Sequence, residues 1–106
     1  MDAKLKAKWI EALRSGDFKQ ARGSLKDEFD GSYCCLGVLA TVAGFPIKGN
    51  TILDAYGVSL GYRPICELIG GEPIVDLTAL WWRNDGKQGF AQHSFREIAD
   101  YIEANL

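Results

Sequence analysis

The stretch Ser32–Ala40, SYCCLGVLA, constrains this chain more than any other. It is short and nearly all apolar, and the run continues through Val42 and Ala43 to Gly44. A helix without a polar face has to be buried on every side. A chain of 106 residues builds one modest core, so the other elements must pack around this one. Asp30-Gly31 ahead of the stretch is a hairpin turn signal. Phe45-Pro46 behind it stops a helix, because the residue before a proline is pushed out of the helical region. The expected local structure is a small antiparallel hairpin, about 23–26 with 32–35, leading into a helix over Cys35–Ala43. Gly37 inside that helix is expected to let another element approach its backbone closely.

Helical spacing supplies the packing partners. Leu5, Trp9, Ile10 and Leu13 share one face over 3–15, with Asp2 placed to cap the start and Gly16 to end it. Ser94-Phe95-Arg96-Glu97 fits a capping box, and Phe95, Ile98, Ala99, Ile102 and Leu106 follow at helical spacing. Pro64 suits the first turn of a short helix through Ile69, stopped by Gly70-Gly71. Residues 74–83 read as a further helix with Asp76 near its start, ended by Asn84-Asp85-Gly86, and 86–93 as a glycine-containing loop. Residues 45–63 form a long loop or a second hairpin, with Thr51–Leu53 and Val58–Tyr62 as candidate strands. The expected fold class is α+β: a small antiparallel β-hairpin packed with four to five helices, one compact domain over 1–106. The first helix, the Cys35 helix and the last helix should form the core.

Composition narrows the functional classes. The chain is 47% hydrophobic and 25% charged, ordinary for a soluble globular protein. A net charge of −2 disfavours wholesale binding to DNA or anionic membranes, which need basic surfaces. No apolar run reaches the roughly 18 residues of a membrane span. The start carries no apolar core after its charges, so no secretory signal is expected, and a cytoplasmic location is the default. Three cysteines, Cys34, Cys35 and Cys66, lack the spacing of a zinc or redox site and are odd in number, so neither a metal nor a disulfide framework is expected.

Four places could carry chemistry, each with a structural reading beside it. Cys34 or Cys35 stands where a helix start lowers a thiol pKa, with His93 as a candidate base. Buried cysteines, however, commonly act as small hydrophobes, and no oxyanion-hole signal precedes the pair. Asn84 and Asp85 offer an amide and a carboxylate to a base edge, a ribose or a cation, or else the chemistry of a turn. Lys19, Gln20 and Arg22 around Gly23 suit a phosphate contact, though no phosphate-loop fingerprint exists and an ordinary polar loop reads the same way. Trp81 and Trp82 point about 100° apart on a helix, so both cannot face one core stripe. One of them is expected at a pocket wall or an interface.

The segments WIEALRSGDFKQARGSL, SYCCLGVLATVAG, LTAL with a following ND, and SFREIADYIEANL together resemble a group of small proteins encoded in bacteriophages and prophages. In this chain Trp81-Trp82-Arg83 intervenes before the Asn-Asp pair, and Gly86–His93 lengthens the loop that follows. The resemblance implies an accessory protein in a host cell, acting on host defence or host machinery. The reading that follows is a non-enzymatic binder, a counter-defence protein that sequesters a nucleotide-like small molecule. Lys19, Gln20, Arg22, Trp82, Asn84 and Asp85 are its expected ligand contacts. The alternative is a protein-binding inhibitor of a host factor, using Trp81, Trp82 and the middle of the chain. A third is a cysteine hydrolase on Cys34 or Cys35 with His93. No cofactor, metal or membrane partner is expected, DNA is disfavoured, and a homo-oligomer is compatible with the apolar middle.

Overall fold

Asp2 starts the first helix: its carboxylate accepts from the Leu5 N–H at 2.8 Å. Helix α1 runs Ala3–Ser15 and ends at Gly16, whose left-handed backbone (φ 80°) an L side chain would resist. The computed structural model describes residues 1–70, 73–87, 89 and 91–106, with 73–75 by backbone alone. Strands β1 (Lys26–Asp27) and β2 (Ser32–Tyr33) pair antiparallel, Lys26 opposite Tyr33 and Asp27 opposite Ser32. This hairpin is shorter than its expected span. The segment before it runs alongside β2 instead: Tyr33 N donates to Lys19 O at 2.8 Å, and Ala21 N donates to Tyr33 O at 2.7 Å.

Helix α2 (Cys35–Val42) follows at once, with Cys35 through Ala40 all buried. The close approach expected at Gly37 is present. A Cβ there would lie 1.9 Å from the Leu25 carbonyl oxygen, so only glycine lets the helix seat against the strand-entry backbone. The middle of the chain forms a second small sheet, β3 (Ile47–Lys48), β4 (Thr51–Leu53) and β5 (Ser59–Gly61), antiparallel in the order β3-β4-β5. It carries one strand more than a hairpin. Lys26 N donates to Gly49 O at 3.0 Å and Leu25 N to Asn50 Oδ1 at 3.1 Å, which ties the first hairpin to the β3–β4 turn.

Helix α3 spans Arg63–Ile69 with Pro64 in its first turn and Gly70 after it; Gly71, the second half of the expected stop, lies outside the described residues. Helix α4 runs Pro73–Asp85, longer than the expected 74–83. Asn84 and Asp85 are therefore in its last turn and not in a loop beyond it. The turn chemistry falls to Gly86, whose N–H donates to Trp82 O at 2.8 Å with φ at 70°. Gln88 and Phe90 of the expected loop lie outside the described residues. Helix α5 (Phe95–Asn105) has the full capping box: Glu97 N donates to Ser94 Oγ at 3.2 Å, and Ser94 N donates to Glu97 Oε1 at 3.0 Å.

One cluster of buried side chains draws on α1, α2 and α5, with Ile52, Ile65, Ile69 and Leu80 added by the later elements. Trp9, Leu36, Leu39, Ile98 and Ile102 are fully buried, each worth about 1.5–3 kcal/mol relative to exposure. Trp9 also satisfies its indole N–H on Cys35 O at 2.9 Å, which fixes α1 against the start of α2. Arg14 forks to Asp100 (2.7 Å) and Glu103 (3.2 Å) across α1 and α5, but these pairs are exposed and packing dominates. The fold is thus α+β, with five helices and two small antiparallel sheets among the described residues. Among the described residues, no helix is long and apolar enough to cross a membrane.

Candidate functional site

Residues far apart in sequence meet at Asn84. The first N–H groups of a helix have no partner within it, and Cys34, at the cap position of α2, offers no side-chain acceptor to them. Asn84 supplies one from another helix: Cys35 N donates to its Oδ1 at 3.1 Å. The same oxygen accepts from Gln20 Nε2 at 3.1 Å, and Gln20 Nε2 also donates to His93 O at 2.8 Å. Asn84 Nδ2 donates to Ala21 O at 2.8 Å and to Asp85 Oδ1 at 3.0 Å. Every donor and acceptor position of this fully buried amide is occupied. Asp85 Oδ1 accepts a further bond from Gly23 N at 2.9 Å. Residues 20–23 and 84–85 converge, bonded to each other and to the backbone of Cys35 and His93.

Asp85 carries the one loose end. It is 4% exposed, and its Oδ2 is buried without a hydrogen-bond partner among the described residues. Its charge adds to the burial that raises the pKa of Cys34, Cys35 and Tyr62. Burial pushes the Cys34 thiol up to about 11, against the opposing pull of the Gly37 and Leu36 N–H groups. Cys35 is raised well above the ordinary thiol range by burial and then by Cys34, and its Sγ sits 3.8 Å from Leu80 O. A cysteine nucleophile needs the thiolate, and this environment favours the thiol. His93 is held by its backbone, its N–H on Arg83 O at 2.8 Å and its carbonyl on Gln20.

The other residues singled out by sequence lie outside this buried cluster. Lys19 is exposed, its Nζ 3.2 Å from Asp30 Oδ2. Arg22 is exposed, and Trp82 is half-buried. Trp81 is the more exposed of the tryptophan pair and lies against Tyr62, ring centroids 5.8 Å apart. An open groove of about 750 Å³ between α1 and α5, lined by Ala3, Lys6, Ala7 and Ile10 among others, touches none of these residues. A smaller cavity of about 280 Å³ touches Gln20 alone of them. Among the described residues, no group of three or more His, Cys, Asp or Glu side chains is placed to hold a metal ion.

Two features escaped the sequence reading. Phe29, at the turn between β1 and β2, is fully exposed, and Tyr56, at the turn between β4 and β5, is 92% exposed. Both turns are built alike. Asp27 Oδ1 accepts from Phe29 N at 2.8 Å, and Asp54 Oδ1 accepts from Tyr56 N at 2.8 Å and Val58 N at 2.9 Å. The first turn is locked further: Gly31 N donates to Asp27 O at 2.8 Å, and Gly49 N to Glu28 Oε1 at 3.0 Å. Asp30 Oδ1 accepts from Ser32 N at 3.0 Å and Ser32 Oγ at 2.6 Å, which with Lys19 lowers its carboxyl to about 2. The signal was the spacing Asp-x-aromatic directly after a strand, Asp27-Glu28-Phe29 and Asp54-Ala55-Tyr56.

Residues 1–46 match a family described as a domain of unknown function (DUF8296). The match takes in α1, the first hairpin and α2, and leaves α4 with Asn84 and Asp85 outside it. No curated protein and no solved structure matches the chain.

Proposed function

We propose that this chain is a non-enzymatic binding protein whose partner is another protein. Given the phage context that its resemblance implies, that partner is a host factor which the chain inhibits. One observation carries the reading: Phe29 and Tyr56 stand in water on turns that carboxylate-to-backbone hydrogen bonds hold rigid. Large aromatic side chains gain most from burial in a partner's pocket. A turn already fixed in shape loses little entropy when it docks. Of the polar residues expected to hold a small ligand, Gln20, Asn84 and Asp85 are, by contrast, engaged in holding the fold. The test is affinity capture from host cells with the tagged chain, followed by titration of the purified partner. A specific partner lost by the double variant Phe29→Ser, Tyr56→Ser is the expected result. A partner retained unchanged by that variant, or none recovered, overturns the reading.

A second reading, sequestration of a nucleotide-like small molecule, is favoured by Asp85 Oδ2, a buried acceptor without a donor below the Gln20–Gly23 segment. A ligand amino or hydroxyl group would supply that donor. A screen of nucleotides and cyclic nucleotides by thermal shift tests it. A rise in Tm that Asp85→Asn abolishes supports it, and no rise with any of them removes it.

A further inference from the structure

The two exposed aromatic turns differ in charge. Tyr56 stands beside one carboxylate, Asp54, whose Oδ1 accepts two backbone N–H groups. Phe29 stands among three, Asp27, Glu28 and Asp30. Two cations approach from the base of that hairpin: Lys19 against Asp30, and Lys26 with its Nζ 5.7 Å from the Tyr33 ring centroid. Lys19 offsets Asp30, so the fully exposed Phe29 is flanked in sequence by the carboxylates of Asp27 and Glu28. Asp27 and Glu28 each use one oxygen to fix the turn, and the carboxylates are bonded to backbone and not folded over the ring.

This combination selects a surface. The ring needs an apolar cavity to leave water. The carboxylates around it would be desolvated without compensation by an apolar rim and repelled by an acidic one. We infer that the β1–β2 turn is an anchor for a protein pocket with an apolar floor and a rim of Lys or Arg, Phe29 filling the pocket while Asp27 and Glu28, each with one oxygen not used in fixing the turn, pair with the rim. The inference rests on the protein-binding reading and specifies its chemistry. Rim charges act chiefly on the association rate and its salt dependence, and the buried ring on the dissociation rate.

The experiment places the photoreactive residue p-benzoylphenylalanine at position 29, and separately at position 56, of the full chain in host cells. The crosslinked protein is then purified and titrated against variants whose folding has been checked by circular dichroism and Tm. Phe29→Ala should weaken binding at least about tenfold. Glu28→Lys should slow association several-fold and flatten its salt dependence. Glu28→Gln, which keeps an acceptor for Gly49 N, should do so more weakly. A protein that crosslinks at 56 and not at 29, or one bound equally well by Phe29→Ala without salt dependence, overturns this inference and leaves the protein-binding reading standing. Crosslinks only to nucleic acid or lipid, or no crosslink at either position, overturn both.

Discussion

The buried cluster around Asn84 and the exposed turns at Phe29 and Tyr56 are made from the same parts and used in opposite directions. Each pairs side-chain oxygens with backbone N–H groups. At Asn84 the bonds point inward and join three separate segments, and among the described residues only Asp85 Oδ2 is left over. At the turns the bonds stay local, and what they leave over is a large aromatic ring in water. Polar residues in a loop-like sequence are therefore poor evidence of a ligand site until their partners are known. The proposed binding surface is instead one where the hydrogen bonds are satisfied and an apolar side chain is not.

The sharpest way to break the contrast is Asn84→Ala. It strands Cys35 N and Ala21 O in the interior, and a loss of about 3–5 kcal/mol is expected from buried groups left unpaired. Urea unfolding followed by circular dichroism measures it, and a loss under about 1 kcal/mol would mean that Asn84 is available for something else. Gly37→Ala comes next, at about 3 kcal/mol, because its methyl group would overlap the Leu25 carbonyl and α2 must shift. Normal stability of that variant would show that α2 seats differently.

Thiol chemistry sharpens the inner half of the comparison. Iodoacetamide at neutral pH should modify half-exposed Cys66 while Cys34 and Cys35 stay protected until denaturation. The sign follows from the raised Cys34 pKa, since a neutral buried thiol stabilises the fold. That contribution is complete below the ordinary 9.0 and is lost as pH rises through about 11. Rapid labelling of Cys34 in the native state would revive it as a nucleophile. Asp30 gives the acid counterpart for the outer half. Its carboxyl titrates at about 2 when folded against 3.8 for the free group, so its support of the turn is complete above 3.8 and is lost as pH falls through about 2. The Asp30 carboxyl-carbon shift in an NMR titration checks this, and a midpoint near 3.8 would mean that the turn is loose. The smallest effect is on the stability of Phe29→Ala, which should change by less than about 0.5 kcal/mol because the ring touches little. A larger loss would place Phe29 in the fold and remove it as an anchor.

Much of the architecture was legible because local chemistry dictates it. Ser94 and Glu97 form the capping box that their spacing announces, Gly16 ends α1, and the spacing of Trp9, Ile10 and Leu13 gives its buried face. Gly37 was readable too, since a glycine in an apolar helix signals close contact. Asn84-Asp85 was misread because Asn, Asp and Gly together carry the composition of a turn. Bonds to residues about 50 to 65 positions away keep both in the helix, and sequence spacing does not reveal such partners. The three-stranded sheet was only half visible because its strands are two or three residues long, too short for alternation to register. Exposure of Phe29 and Tyr56 was invisible for a related reason, since an aromatic residue after a strand reads equally well as core.

The cap that Asn84 places on α2 also bears on how the chain is made. A ribosome delivers α2 some 49 residues before it delivers that amide. Throughout that interval the Cys35 N–H lacks the Asn84 oxygen that receives it in the fold, while α1, already made, can cover one face of α2. The bond from Cys35 N therefore waits for the last turn of α4, and the core for α5 after it. The segment through residue 46, which carries the family match, holds the hairpin and α2 but not their clasp. Truncations that end before residue 84 should populate an exposed, sticky nascent state and be degraded or captured by chaperones.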